Sequence, residues 1–182
     1  MNRREVLLAT ALGLVLVPME GIAVGNQPAF AIGPDQKQAE LANALSEAKV
    51  SLQQGLAASE SEGQPISGKF EVEDGKLQLS VYTAKDGKFF EVIVDHMTGK
   101  IAKVEPIDEA EDLSHAKVQK AAMDRAKVKL ADAAVKSMGQ AKGSTGDVRV
   151  VSVMPELQDD RPEARIVLLA GKQFSTASEH LD

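Results

Sequence analysis

Asp95, His96 and Thr98 fall within four residues in the stretch EVIVDHMTGKIAKVE, residues 91–105 of a chain with only three histidines. A carboxylate, an imidazole and a hydroxyl could serve nucleophilic hydrolysis or a metal. Hydrolysis needs a Ser or Thr beside a His that a carboxylate orients. His96, His115 and His180 fall in a turn, at a helix start and near the C-terminus, none beside a Gly-x-Ser-x-Gly elbow, so no catalytic residue is assigned. Zinc favours His at i and i+4 or pairs of Cys, and the chain has neither pattern and no Cys. A hard cation needs several oxygens converging on one point. Asp108, Glu109, Glu111 and Asp112 form the densest acidic cluster, and Asp159 and Asp160, with Glu156 and Glu163, form a second that Arg161 and Arg165 stand ready to neutralise. Neither cluster has the alternating order of an EF-hand loop. These are the candidate ligands for a hard cation such as Ca²⁺.

The elements that would position such groups follow an export signal. The chain opens MNRREVLLATALGLVLVPMEGIAVGNQPAFA: two arginines, an uncharged run over residues 6–19, then a small-x-small cleavage pattern at Ala29-Phe30-Ala31. That pattern predicts a signal peptide over residues 1–31, and no apolar run approaches the roughly 20 residues a spanning helix needs. The expectation is a periplasmic or secreted protein with no membrane span after signal removal. Without cysteine, disulfides, thiol nucleophiles and Cys-ligated zinc are excluded. The net charge of −6 and the absence of a basic run argue against nucleic acid, whose affinity comes largely from Lys and Arg on phosphates. No Trp and a single Tyr argue against a stacking platform for sugars or bases.

A repeat organises the rest. Residues 44–59 read ALSEAKVSLQQGLAAS and residues 122–137 read AMDRAKVKLADAAVKS, sharing Ala-Lys-Val-x-Leu. Leu41, Leu45, Ala48, Leu52 and Leu56 recur at helical intervals, as do Met123, Ala126, Leu130 and Ala134, so each copy predicts one amphipathic helix. After the first come strand-like runs over residues 69–73, 76–84, 89–95 and 100–105, the first three separated by Asp74-Gly75 and Asp86-Gly87. Asp-Gly between apolar runs is a hairpin signal. After the second come residues 139–146, a strand over 147–154, a long polar hairpin loop over 155–164, a strand over 165–170 and a last run from Gln173. The copies end alike, in residues 104–108 and 178–182. The fold class is α+β: two units of one helix packed on an antiparallel β-meander, residues 32–107 and 114–182, joined by an acidic linker over 108–113. Ser114 or Asp112 is placed to N-cap the second helix.

At this point the residues resemble a known family. Phe90, Val92, Val94 and Asp95 leading into Thr98-Gly99-Lys100 and Ile101, after a helix, look like the PepSY domain. The resemblance is good over residues 36–107 and weak over 114–182, where only Gly171-Lys172 remains of the turn and no Asp precedes it. It implies exported or membrane-attached non-catalytic modules, proposed to inhibit or regulate peptidases at the cell envelope. Small periplasmic tandem members of similar layout bind lanthanide ions.

The expected function is therefore an exported, non-enzymatic binding or regulatory protein whose partner is a protein or peptide in the envelope. The alternative is a periplasmic metal-binding protein that uses the carboxylate clusters for Ca²⁺ or, as the resemblance implies, a trivalent lanthanide. Asp95, Thr98, Gly99 and Lys100 are expected to build a structural turn rather than a site, with Asp95 accepting backbone N–H groups and Gly99 supplying a positive φ in a bulged hairpin. An extended peptide could bind by adding a strand to an exposed sheet edge, with the 155–164 loop as a further contact.

Overall fold

The computed structural model describes residues 34–141 and 147–182. The signal-peptide expectation over residues 1–31 and most of the 139–146 connection lie outside them. Each half begins with two short helices where one was expected. Helix α1 (Pro34–Leu45) ends, and α2 (Leu52–Ser59) starts afresh. In between, the N–H groups of Lys49 and Val50 leave the helical ladder and both donate to the His96 carbonyl at 3.0 Å. Ser51 then restarts the helix with a capping box: its hydroxyl accepts from the Gln54 N–H at 3.2 Å, and the Gln54 side chain accepts from the Ser51 N–H at 2.8 Å. Two N–H groups that would otherwise be orphaned are thereby satisfied.

The second half repeats this arrangement. Helix α3 (Ala110–Met123) and α4 (Leu130–Ala141) flank a link in which Lys127 and Val128 donate to the Leu181 carbonyl at 2.6 and 3.0 Å. The shared Ala-Lys-Val-x-Leu is thus the link between two helices, not the middle of one. The N-cap of α3 is Glu109, which makes no side-chain cap bond; the helix starts earlier than Ser114 or Asp112 would place it, and Glu111 and Asp112 sit in its first turn, where the helix dipole favours carboxylates.

Seven antiparallel strands form one sheet in the order β4-β3-β2-β1-β5-β6-β7, so the chain is α+β. The strands are β1 (Gln64–Glu73), β2 (Lys76–Lys85), β3 (Lys88–Val94), β4 (Ile101–Pro106), β5 (Val148–Gln158), β6 (Arg161–Ala170) and β7 (Gln173–His180). The halves meet where β1 pairs with β5 through Gly68↔Val153 and Lys69↔Ser152. In each half one extra residue bulges two positions before its member of the Gly68↔Val153 pair: Ile66, between Pro65 and Ser67, and Val151, between Val150 and Ser152. Both bulged side chains are buried.

The long hairpin loop expected over residues 155–164 is instead strand. β5 and β6 pair out to Gln158↔Arg161 and are joined by Asp159-Asp160 alone, with φ of 49° and 64°. Two positive φ values make a type I′ turn, whose twist matches the flanking strands, and Asp tolerates that region better than most side chains. The matching of residues 104–108 with 178–182 is likewise corrected, since the hydrogen bonds make Leu181 the counterpart of His96.

Cross-strand partners share a face, which assigns Phe70, Leu79, Val81, Val92, Val94, Val153 and Ile166 to one side of the sheet. Helix α2 covers it: Leu52 and Leu56 lie over Gly68, and Gly55 lies over Leu79. Leu52, Ile66, Leu79, Val81, Val92, Val153 and Ile166 are fully buried, each contributing about 1.5–3 kcal/mol by leaving water.

Candidate functional site

The sheet has two outer strands, and they differ in how they meet solvent. β4 is six residues long, carries Lys103 and Pro106, and slips register against β3 between Ile93 and Val94. Shortness, Lys, Pro and a bulge are devices that discourage a further strand. β7 has none of them: residues 173–180 read QFSTASEH, without Lys, Arg or Pro, in unbroken register with β6. The Leu181 N–H donates to the Pro162 carbonyl, so by the alternation of an antiparallel ladder the N–H groups of Phe174, Thr176, Ser178 and His180 point away from β6. In the first half the outer side of β3 carries β4. Among the described residues, the outer side of its counterpart β7 carries no strand.

Side chains flank this edge on both faces. On the face turned from α2, Glu163 and Arg165 of β6 stand opposite His180 and Ser178. His180 Nδ1 is 3.0 Å from Glu163 Oε1, and the Ser178 hydroxyl donates to Glu163 Oε2 at 2.8 Å. Ser178 therefore bonds the carboxylate rather than His180, and the imidazole is not placed to take its proton. Arg165 is exposed and has no hydrogen-bond or ion-pair partner among the described residues. On the other face Glu179 is buried beneath α4, where it accepts from the Ser137 hydroxyl at 3.1 Å and pairs with Lys136 at 2.6 Å.

The residues singled out in the sequence are dispersed. Asp95 caps the β3–β4 turn, its carboxylate accepting from the Met97 and Thr98 N–H groups at 2.8 Å each; these bonds hold its pKa below the usual value. In the same turn the Gly99 N–H donates to the Asp95 carbonyl, Gly99 takes φ of 73°, and the Lys100 N–H reaches Thr98 Oγ1 at 3.4 Å. Asp108, Glu109 and Glu111 are exposed. Asp112 lies beside Tyr82, whose hydroxyl is pushed far upward in pKa by burial and then by this carboxylate. Asp160 pairs with Arg125 at 2.9 Å, and Arg161 pairs with Asp182 at 2.9 Å, so neither Arg161 nor Arg165 neutralises the second acidic cluster. Among the described residues no group of three or more His, Asp or Glu converges in a way that could hold a metal.

A cleft of about 540 Å³ lies at the ends of β1 and β2, floored by Leu56, Pro65, Ala84, Met123 and Leu130, with the Glu60–Lys129 ion pair (3.0 Å) on its rim. Of the edge residues, Arg165 stands in the sequence only as a charge beside the second acidic cluster, Ser178 only as the start of the matched C-terminal run, and Thr176 carries no mark; the available signal is the uncharged run over residues 173–178. Among the described residues no helix is long and apolar enough to cross a membrane. Compared with known proteins, the chain matches no family model, no curated protein and no solved structure.

Proposed function

We propose that the chain is an exported, non-enzymatic binding or regulatory protein of the PepSY type, built of two PepSY-like units and acting through a protein or peptide in the cell envelope. Regulation of a peptidase is the form of that role the resemblance implies. The observation that carries the reading is the edge of β7, where four backbone N–H groups face outward on a strand without the usual protections. Strand addition draws its affinity from the backbone, so it needs no conspicuous cluster of side chains. The repeated helix pair, with its links held by the His96 and Leu181 carbonyls, supports a reading as two related units.

Two measurements test this. The full chain should show no turnover of a fluorogenic casein or ester substrate. Turnover abolished by Ser178→Ala or His180→Ala would overturn the non-enzymatic reading. Hydrogen exchange should find the Thr176 and Ser178 amides fast in the free protein, because among the described residues they have no ladder partner; slow exchange there would remove the open edge.

A further inference from the structure

The internal repeat says more about what would lie beside β7. His96 and Leu181 hold equivalent links, which makes β7 the counterpart of β3, and β3 already carries an antiparallel neighbour, β4. That neighbour pairs Glu91↔Glu105, Val92↔Val104 and Ile93↔Lys103. Counting back from the two link carbonyls, Thr176, Ala177 and Ser178 occupy the places of Glu91, Val92 and Ile93. An extended segment beside β7 would therefore take the position and direction that β4 takes beside β3.

The side chains around that position are not neutral in their preference. Arg165 stands opposite Ser178 on the exposed face. Strands are about 4.8 Å apart, so an added strand would run about 10 Å from β6, a gap an extended Arg and a Glu or Asp together can span. Ser178 between them is small, and its hydroxyl is turned to Glu163, which leaves the way over it clear. Glu163 itself is occupied by His180 and Ser178, whereas Arg165 is free among the described residues.

We propose that the outer edge of β7 receives an extended peptide segment, antiparallel to β7, that places a carboxylate opposite Ser178 for Arg165. This rests on the peptide-contact reading above and specifies its partner. Arg offers a planar fork that matches a carboxylate bidentately, and the backbone ladder sets the register in which the two meet.

The test is selection of a phage-displayed random dodecapeptide library on the immobilised full chain, followed by fluorescence anisotropy with the enriched peptides made synthetically. Enriched peptides are expected to carry Asp or Glu within an extended, β-prone run. Arg165→Gln should weaken them at least about tenfold, as loss of a charge-assisted hydrogen bond does. Thr176→Pro should abolish binding, because it removes an outward N–H and spares the β6 ladder. Ser178→Glu, which supplies Arg165 with a carboxylate from within the chain, should weaken binding without any change of backbone, so the result does not depend on the proline variant folding. If Thr176→Pro abolishes binding while Arg165→Gln and Ser178→Glu leave it unchanged, the carboxylate preference is wrong and the peptide edge stands. If no peptide is enriched, or Thr176→Pro binds as the parent does, the edge itself is wrong.

Discussion

Gly55 of α2 lies so close above Leu79 of β2 that a Cβ at position 55 would stand 2.5 Å from Leu79 Cδ2. Ala is ordinarily favoured over Gly in a helix by about 1 kcal/mol, but Leu79 is fully buried and cannot swing into solvent. Overpacking a closed core costs about 1–3 kcal/mol. Gly55→Ala is expected to lower stability in urea unfolding, and combining it with Leu79→Val should recover part of the loss. A Gly55→Ala variant more stable than the parent would contradict this packing.

Glu91 illustrates a pH effect with a definite sign. Burial raises its carboxyl pKa, only partly offset by the Ser80 hydroxyl, which donates to it at 2.6 Å. With the folded-state pKa above the unfolded one, the folded protein holds this proton at higher pH. Its ionisation therefore costs stability as pH rises through the folded pKa. Glu91→Gln keeps an acceptor for Ser80 and removes the charge, so its Tm should exceed the parent's at pH 7. The gap should narrow as pH falls toward the ordinary Glu range. A Tm at or below the parent's at pH 7 would count against a desolvated charge at this position.

The acidic clusters make the third case. Asp160 is already paired with Arg125, and among the described residues neither cluster brings three carboxylates together, so a cation would find too few converging oxygens at either. Chelator-stripped protein is expected to keep its Tm on addition of millimolar Ca²⁺ or micromolar lanthanide. A ligand bound only by the folded state would raise the Tm by mass action, and such a rise would return the function to ion binding.

The α+β character and the Asp-Gly hairpins were legible because they rest on local signals. Asp74-Gly75 and Asp86-Gly87 carry the positive φ values such turns require. The break between α1 and α2 was not legible, because Ala48 and Val50 remain buried and so continue the apolar spacing across it. What ends the helix is the His96 carbonyl, far along the chain. Asp159-Asp160 escaped notice because Asp-Asp lacks the glycine of the usual hairpin pair, and Pro155 and Pro162 beside it read as loop. The β1–β5 seam and the open side of β7 depend on non-local pairing, which no local pattern announces. The conspicuous carboxylates lie at the start of α3 and in the β5–β6 turn, with no three of them converging among the described residues, while Arg165 gains its interest only from its strand neighbours.

The bulges Ile66 and Val151 each stand two residues before the paired Gly68 and Val153, so the two halves face each other across equivalent residues. A contact of that kind is isologous, the kind that identical subunits make in a symmetric dimer. The seam is thus one that a half-length chain could form with a second copy of itself, and in this protein a covalent connection through α3 holds it at fixed stoichiometry.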